Sequence, residues 1–309
     1  MSLRPLRIGT RGSRLALIQT EMVRDAIAGA YPDVAAAVEM VVFETKGDLK
    51  RDVSIEQIGG RGVFTDELDQ ALLDGAIDLA VHSVKDLPVP LDRRLTISAT
   101  PEREDPREAF VSPRHATLAS VPSGAVFGSA SLRRESLVKA LRPDVNFVLL
   151  RGNVEQRVAA LEARGLDGTI LAVAGLKRLG LQNHIRETLE PETLMPDPGQ
   201  GAIGIVCRVN DARARFISAA INHAATWQAV AAERAFLTAA GSHAICGALA
   251  IVDGGTLVLS ATLATEADSN TKRGSDRGPT TEAEQIGRRL AQRLLAERAS
   301  RAARQGGSA

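Results

Sequence analysis

Strand-like and helix-like runs alternate along this chain, and the alternation is cut twice by proline-rich, charged stretches. Residues 6–13 read as a short strand ending in a glycine turn. After it Leu15, Ile18, Met22, Ala26 and Ile27 recur at helical spacing, with Ser13 placed to cap the helix. Residues 38–45 predict a strand, 65–74 a helix and 77–84 a buried strand. A β-α-β-α-β order favours an α/β layer with a mainly parallel sheet, and it directs attention to the loop tips at strand ends. The break Thr100-Pro101-Glu102-Arg103-Glu104-Asp105-Pro106 separates this part from a second alternation with strands at 145–150 and 169–173. A second proline cluster, 191–198, precedes a strand-like stretch at 202–209 that returns to the first sheet. Two crossings between the same domains imply a cleft. The expected domains are 1–101 with 199–219, then 105–195, then 224–309. In the last, a helix at 227–237 precedes two strands around Asp253-Gly254-Gly255 and a polar loop at 267–279. A basic helix then starts near Thr281, which forms a capping box with Glu284, and the tail 305–309 frays.

With 309 residues, two or three domains are expected. The 38 basic and 37 acidic side chains leave a net charge of +1, so an anionic partner must be met by a local cluster and not by a global field. The two cysteines, Cys207 and Cys246, are too few for a disulfide framework and lack metal-site spacing, which fits a reducing compartment. No run resembles a signal peptide or a membrane span, so a cytoplasmic protein is expected. The five histidines show no metal-ligand spacing, and no metal is expected. Gly199-Gln200-Gly201-Ala202-Ile203-Gly204 matches GxGxxG, but it leads into a strand pattern, where the dinucleotide fingerprint needs the reverse order. Nucleic acid is disfavoured because the basic residues lack interleaved aromatics for base stacking.

Two constellations carry chemistry. The apolar strand 78–82 ends in His82, Ser83, Lys85 and Asp86 before Pro88, which puts polar groups at a strand end facing a cleft. There Asp86 is a candidate general acid or base; the bland reading is a surface turn with a Lys–Asp pair. Between Ser131 and Arg157 six cations (Arg133, Arg134, Lys139, Arg142, Arg151, Arg157) face three acids (Glu135, Asp144, Glu155). Arginine forks beside helix starts suit carboxylate or phosphate; a solvated charged face is the alternative.

Taken in order, the segments Gly9-Thr10-Arg11-Gly12-Ser13, Ile58-Gly59-Gly60-Arg61-Gly62-Val63-Phe64, Val81-His82-Ser83-Val84-Lys85-Asp86-Leu87-Pro88, Arg103-Glu104-Asp105-Pro106-Arg107, Ser131-Leu132-Arg133-Arg134, Leu150-Arg151-Gly152-Asn153-Val154 and Ala174-Gly175-Leu176-Lys177-Arg178-Leu179-Gly180 resemble the porphobilinogen deaminase (hydroxymethylbilane synthase) family. The resemblance runs from Leu6 to about Arg234 and weakens beyond. It implies an α/β fold: two domains like those of periplasmic binding proteins around a cleft, plus a smaller C-terminal α+β domain. It also implies head-to-tail condensation of four porphobilinogen molecules into a linear tetrapyrrole with release of ammonia, in heme and chlorophyll biosynthesis.

The resemblance assigns Asp86 the stabilisation of positive charge at the pyrrole nitrogens. It assigns Arg11, Arg133, Arg134, Arg151, Arg157 and Arg178 the acetate and propionate arms, assisted by Ser83, Lys85 and Ser131. It further implies a monomer that passes its product to uroporphyrinogen-III synthase, with no nucleic acid or membrane partner. The family's primer, a dipyrromethane, is joined by thioether to a cysteine in a glycine-rich loop. Here that loop reads Ala240-Gly241-Ser242-His243-Ala244-Ile245-Cys246-Gly247, and the family position falls nearest His243. Three readings follow: a shifted loop lets Cys246 carry the primer; the primer is held noncovalently; or the chain is a cofactor-less paralogue that binds pyrrole carboxylates without turnover. A soluble small-anion receptor is a further alternative.

Overall fold

The computed structural model describes residues 4–35, 37–49, 62–241, 244–265 and 268–306, arranged around three sheets. The first sheet has the order β2 (Val38–Phe43), β1 (Leu6–Arg11), β3 (Leu79–Ser83), β10 (Ile203–Arg208) and β4 (Leu95–Ala99). Strand β1 runs parallel to β2 and β3, whereas β10 is antiparallel to both β3 and β4. The sheet is therefore mainly parallel with one reversed strand: β1, β2, β3 and β4 share a direction, and β10 alone opposes them because the chain returns from the opposite end after the second crossing. Ser13 caps helix α1 (Arg14–Ala30), its Oγ accepting from the Ala16 N–H at 3.3 Å. Val23 and Ile27 then bury against Leu6, Ile8, Leu79 and Val81. Helix α2 (Asp66–Leu73) covers the other face through Leu68 and Leu72.

The second sheet has the order β7 (Asn146–Leu149), β6 (Val126–Ser129), β8 (Gly168–Ala172), β5 (Glu108–Val111) and β9 (Ile185–Leu189). Its helices are α3 (Leu132–Leu141), capped by Ser131, α4 (Val154–Ala163), opened by an Asn153–Gln156 capping box, and α5 (Val173–Arg178). Helix α6 (Ala212–Ala219) packs back on the first sheet through Ala214 and Ile217.

The third sheet is an antiparallel meander of β11 (Ile245–Asp253), β12 (Thr256–Thr265) and β13 (Asp268–Pro279) under helices α7 (Ala224–Ala240) and α8 (Ala283–Gly306). Two expectations are corrected here. The polar stretch 268–279 is a strand, paired with β12 through most of its length. Its helix-facing positions include Gly274 and Gly278, against Leu294 and Ile286, so packing occurs without an apolar alternation in the sequence. The last helix starts at Ala283 after a 3-10 turn at Thr280–Glu282, so Thr281 lies inside that turn and not at a capping box. Residues 305–306 belong to the helix, and 307–309 lie outside the described residues.

The crossings 100–107 and 195–201 run side by side, with Glu104 N–H on Gly201 O. Gly201 has φ +85°, and a Cβ there would sit 2.3 Å from Glu104 O, so this approach admits only glycine. Both crossings meet the third sheet at Glu233, which lies on α7 and is 0% exposed. Its carboxylate accepts from Arg103 Nη1 at 2.6 Å and Nη2 at 3.1 Å, from Gly199 N–H at 2.6 Å and from Ala250 N–H at 2.8 Å. Removing one partner of such a buried pair strands the other charge. Glu233→Gln is expected to lower stability in chemical denaturation by about 3–5 kcal/mol. A loss below ~1 kcal/mol, the range of an exposed pair, would show that the network does not hold the junction.

Candidate active site

Strands β1, β3, β6, β7 and β8 all deliver their C-terminal ends to one cavity of about 890 Å³ between the first two sheets. Such ends, where the chain turns into helices, are where open α/β sheets place ligands. Arg11 ends β1; Ser83, Lys85 and Asp86 follow β3; Ser131, Arg133 and Arg134 follow β6; Arg151 and Arg157 follow β7; Arg178 ends α5. All ten line the cavity, so the structure brings together every residue predicted for the acid and its carboxylate-binding surround.

Asp86 sits at the end of a 3-10 turn, Val84–Asp86, and accepts no hydrogen bond from a described residue. Its charge acts on Arg157 and Lys85, favouring the charged form of each. Lys85 donates to Gln200 Oε1 at 3.2 Å, and Gln200 in turn donates to Pro106 O at 2.8 Å, so the loop is braced against a crossing. Burial, then Arg134, holds the Lys85 pKa below its ordinary value. Burial, then Arg134, also brings Arg157 down to about 10, which leaves it charged at neutral pH. Arg178 is lowered by burial; its Nη2 donates to Gly201 O at 2.8 Å while its buried Nε meets no partner.

The two adjacent arginines differ from the rest. Arg133 and Arg134 are 7% and 8% exposed and converge on Glu108, which is 0% exposed. Arg133 Nη2 donates to Glu108 Oε1 and its Nη1 to Met195 O at 2.6 Å. Arg134 donates from Nε and Nη2 at 3.1 and 2.9 Å to the two Glu108 oxygens. Ser131 Oγ is occupied as a helix cap toward Arg134 N–H, and Ser83 Oγ exchanges with the Gln19 amide at 3.0 Å. Arg11 lies with its guanidinium carbon 4.1 Å from the Phe64 ring centroid. His82, on the same strand as Ser83, is buried, and its pKa falls to about 3 through burial and then Arg11. It is neutral at any working pH.

Eight cationic side chains and three carboxylates line the cavity among the described residues. This is a local concentration of positive charge inside a chain of nearly balanced charge, and guanidinium groups of this kind suit anionic oxygens. Sequence reasoning missed Glu108, Gln200, Gln19 and Asp197. A glutamate opening an otherwise apolar strand, Glu108-Ala109-Phe110-Val111, was the available signal for the first.

Both cysteines are buried. Cys207 lies in the first core, 0% exposed. Cys246 borders the cavity wall with Ala244 and Ile245 but is only 2% exposed. It alternates with Ala248 and Ala250 along β11 and belongs to the third core with Phe236, Leu263 and Leu290. No disulfide joins them. His243, like the glycine loop 59–61, lies outside the described residues. Among the described residues no group of His, Cys, Asp and Glu could hold a metal ion, and no helix is long and apolar enough to cross a membrane.

Residues 6–215 match the family model for the porphobilinogen deaminase, dipyromethane cofactor binding domain. A porphobilinogen deaminase of Roseiflexus sp. (strain RS-1) is 44% identical over 292 residues, 94% of this chain and 95% of the relative. Among solved structures, the methionine-binding protein MetQ is similar with a TM-score of 0.44 at 14% identity, over 70% of this chain and 89% of that one. An arginine-specific periplasmic binding protein of Salmonella typhimurium gives 0.41 at 16% identity, over 71% and 92%.

The arginine pair generates a pH prediction. Burial raises the Glu108 pKa, but Arg134 and Arg133 outweigh it and hold the group at about 2, against 4.5 when unfolded. A depressed folded pKa stabilises fully above the unfolded value and is lost as pH falls toward the folded one. Stability measured by urea denaturation should therefore decline between pH 4.5 and about 2. In Glu108→Gln the protein should be less stable at neutral pH and the acid decline shallower; an unchanged acid limb would remove Glu108 as its source.

Proposed function

The chain belongs to the porphobilinogen deaminase family, and we propose that it is a hydroxymethylbilane synthase, a transferase that condenses four porphobilinogen molecules head to tail with loss of ammonia. The observation that carries this reading is one carboxylate, Asp86, left without a hydrogen-bonding partner among the described residues, in a cavity otherwise crowded with cations.

Each porphobilinogen presents an acetate, a propionate, a pyrrole N–H and an aminomethyl group. Arg11, Arg151, Arg157 and Arg178 pair with the carboxylates and orient the ring. Arg134 and Arg133, tied to Glu108, add a fixed positive wall; Ser83 and Ser131 contribute hydroxyl contacts at the strand ends. Asp86 accepts from the pyrrole N–H. When the aminomethyl nitrogen leaves as ammonia, the ring nitrogen takes on positive charge, and a carboxylate already in place stabilises it without reorganising solvent. The free ring carbon of the neighbouring pyrrole then attacks the methylene carbon and loses its proton to recover aromaticity. After four rings, the bond that holds the first-added methylene breaks, a proton returns to the ring carbon it leaves, and water adds to that methylene to give the hydroxymethyl product.

The family's dipyrromethane, when bound, supplies the ring from which the chain grows. Its carboxylate arms fit this cavity: the cations outnumber the carboxylates, and Arg178 Nε is buried with no acceptor. Its thioether does not fit, since Cys246 is packed in the third core. That packing favours a second reading, a protein that binds pyrrole carboxylates in the same cleft without turnover.

Family membership also supports a monomer working in the cytoplasm and a product passed to uroporphyrinogen-III synthase. The division into 1–101 with 199–219, 105–195 and 224–309 is supported by the strands that make up each sheet.

Asp86→Asn separates the two readings. For the synthase, tetrapyrrole formation should fall about 100- to 1,000-fold, the scale for removing one transition-state electrostatic partner, while porphobilinogen binding stays within a few-fold. For a binder, wild-type protein forms no tetrapyrrole and the substitution changes affinity alone.

A further inference from the structure

The motif Gly199-Gln200-Gly201-Ala202-Ile203-Gly204, which leads into β10 in the wrong order for a dinucleotide, has a different use in the structure. Its first four residues lie between the turn that carries Asp86 and the first crossing. Gly199 has φ +79°, and a Cβ there would collide with Val84 and lie 3.2 Å from Lys85 N, so the backbone rests directly on the 84–86 turn. Val84 N–H donates to Ala202 O at 3.0 Å at the other end of the same segment. Gly201 makes the matching approach to Glu104 and Pro106 on the first crossing.

Between the two glycines Gln200 is 0% exposed, and each end of its amide has a partner. Nε2 donates to Pro106 O at 2.8 Å, and Oε1 accepts from Lys85 Nζ at 3.2 Å. The next residue holds a cation from the opposite wall: Gly201 O accepts from Arg178 Nη2 at 2.8 Å. Successive residues of one crossing thus hold one cavity-lining cation from beside the first sheet and one from beside the second. The acceptor in each case is neutral. Arg133 and Arg134 are fixed differently, by a carboxylate that offsets part of their charge. An amide oxygen orients an ammonium and adds no negative charge of its own, whereas a glutamate at 200 would add one and would repel Pro106 O. Burial and Arg134 work against the Lys85 charge, and Asp86, Glu108 and Asp197 favour it.

Resting on the hydroxymethylbilane synthase reading, we infer that Gln200 is a positioning residue for the condensation: its amide fixes the Lys85 ammonium next to Asp86, braces that placement against the first crossing, and affects the reaction through Lys85. The glycines on either side serve the same end by bringing backbone against backbone.

The test is a double-substitution cycle on the full chain, with tetrapyrrole formation as one readout and NMR of isotope-labelled lysine as the other. Gln200→Met keeps the length of the side chain and removes both hydrogen bonds; Lys85→Met removes the ammonium. Alone, Gln200→Met is expected to lower turnover about 10- to 100-fold, the scale of a hydrogen bond to a charged group, and to leave KM within about threefold. In the Lys85→Met background the same substitution is expected to cost less than about twofold, because the group it acts through is gone. Gln200→Glu is expected to raise the Lys85 titration midpoint by about 1–3 pH units, since a carboxylate then stands at the acceptor position. Losses that multiply in the double variant overturn the inference by showing a general structural role; a Lys85 midpoint unmoved in Gln200→Glu overturns it by removing the contact. If the wild-type protein forms no tetrapyrrole, the synthase reading fails on that result alone, and the same cycle read in porphobilinogen affinity, together with the Lys85 midpoint, still decides the inference.

Discussion

Glu233 is the charge on which the arrangement of the three sheets turns. It is fully buried on α7, and its two oxygens collect a guanidinium from the first crossing, a backbone N–H from the second and another from β11 of the third sheet. An ion pair taken out of water is worth little in itself, because desolvation offsets the Coulomb gain. Its use here is geometric. Four donors aimed at one carboxylate admit a single mutual placement of 103, 199 and 250, and Arg103 extends the network by donating to Gln200 O at 2.7 Å. Gln200 then holds Lys85 next to Asp86, so the acid is positioned by a chain of hydrogen bonds that starts in the third sheet.

The cavity applies the opposite principle. Where the junction gathers donors around a single buried carboxylate, the cleft gathers cations around open space. Lys85, Arg157 and Arg178 are all pulled down by burial, and Arg134 adds to the first two. Such mutual repulsion works against the empty fold and is the cost of a site organised before substrate arrives. Glu108 limits it. By anchoring Arg133 and Arg134 against the strand behind them, it fixes two guanidinium planes and offsets part of their charge.

Much of this was legible from the sequence because parallel-strand architecture sends functional residues to predictable places. A strand pattern followed by a polar run located Asp86, Arg134 and Arg151, the family resemblance assigned Arg11, and Ser13 signalled the start of α1 by its side chain alone. The strand at 268–279 was not legible, since its inward positions are Gly274, Asp276 and Gly278; the middle one bonds Arg289 of α8 at 2.6 Å in place of an apolar contact. Period-2 reading depends on hydrophobic side chains and is blind to a face made of glycine and a salt bridge. Glu108 and Glu233 escaped for a different reason. Their partners lie 26 and 130 positions away in the chain, and no local spacing encodes such a pairing.

Charge also bears on how the cleft copes with a growing product. A two-ring group and one incoming porphobilinogen together carry six carboxylates, and each further ring adds two more, while the lining cations stay fixed at eight, two of them already shared with Glu108. A static cavity would run out of partners before four rings had been added, so the growing chain must move past the cations, or the two sheets must part to expose its older rings to water. The crossings at 100–107 and 195–201 are the places where the second sheet connects to the first. Glu233 ties those crossings to the third sheet, and among the described residues its carboxylate takes no bond from the second sheet. Across the mouth the second sheet is met by Arg14 and Glu155, 3.6 Å apart and partly exposed, and an ion pair of that kind yields readily. The fold thus places its strong polar contacts where the acid must be held still and its weak ones where the cleft must give.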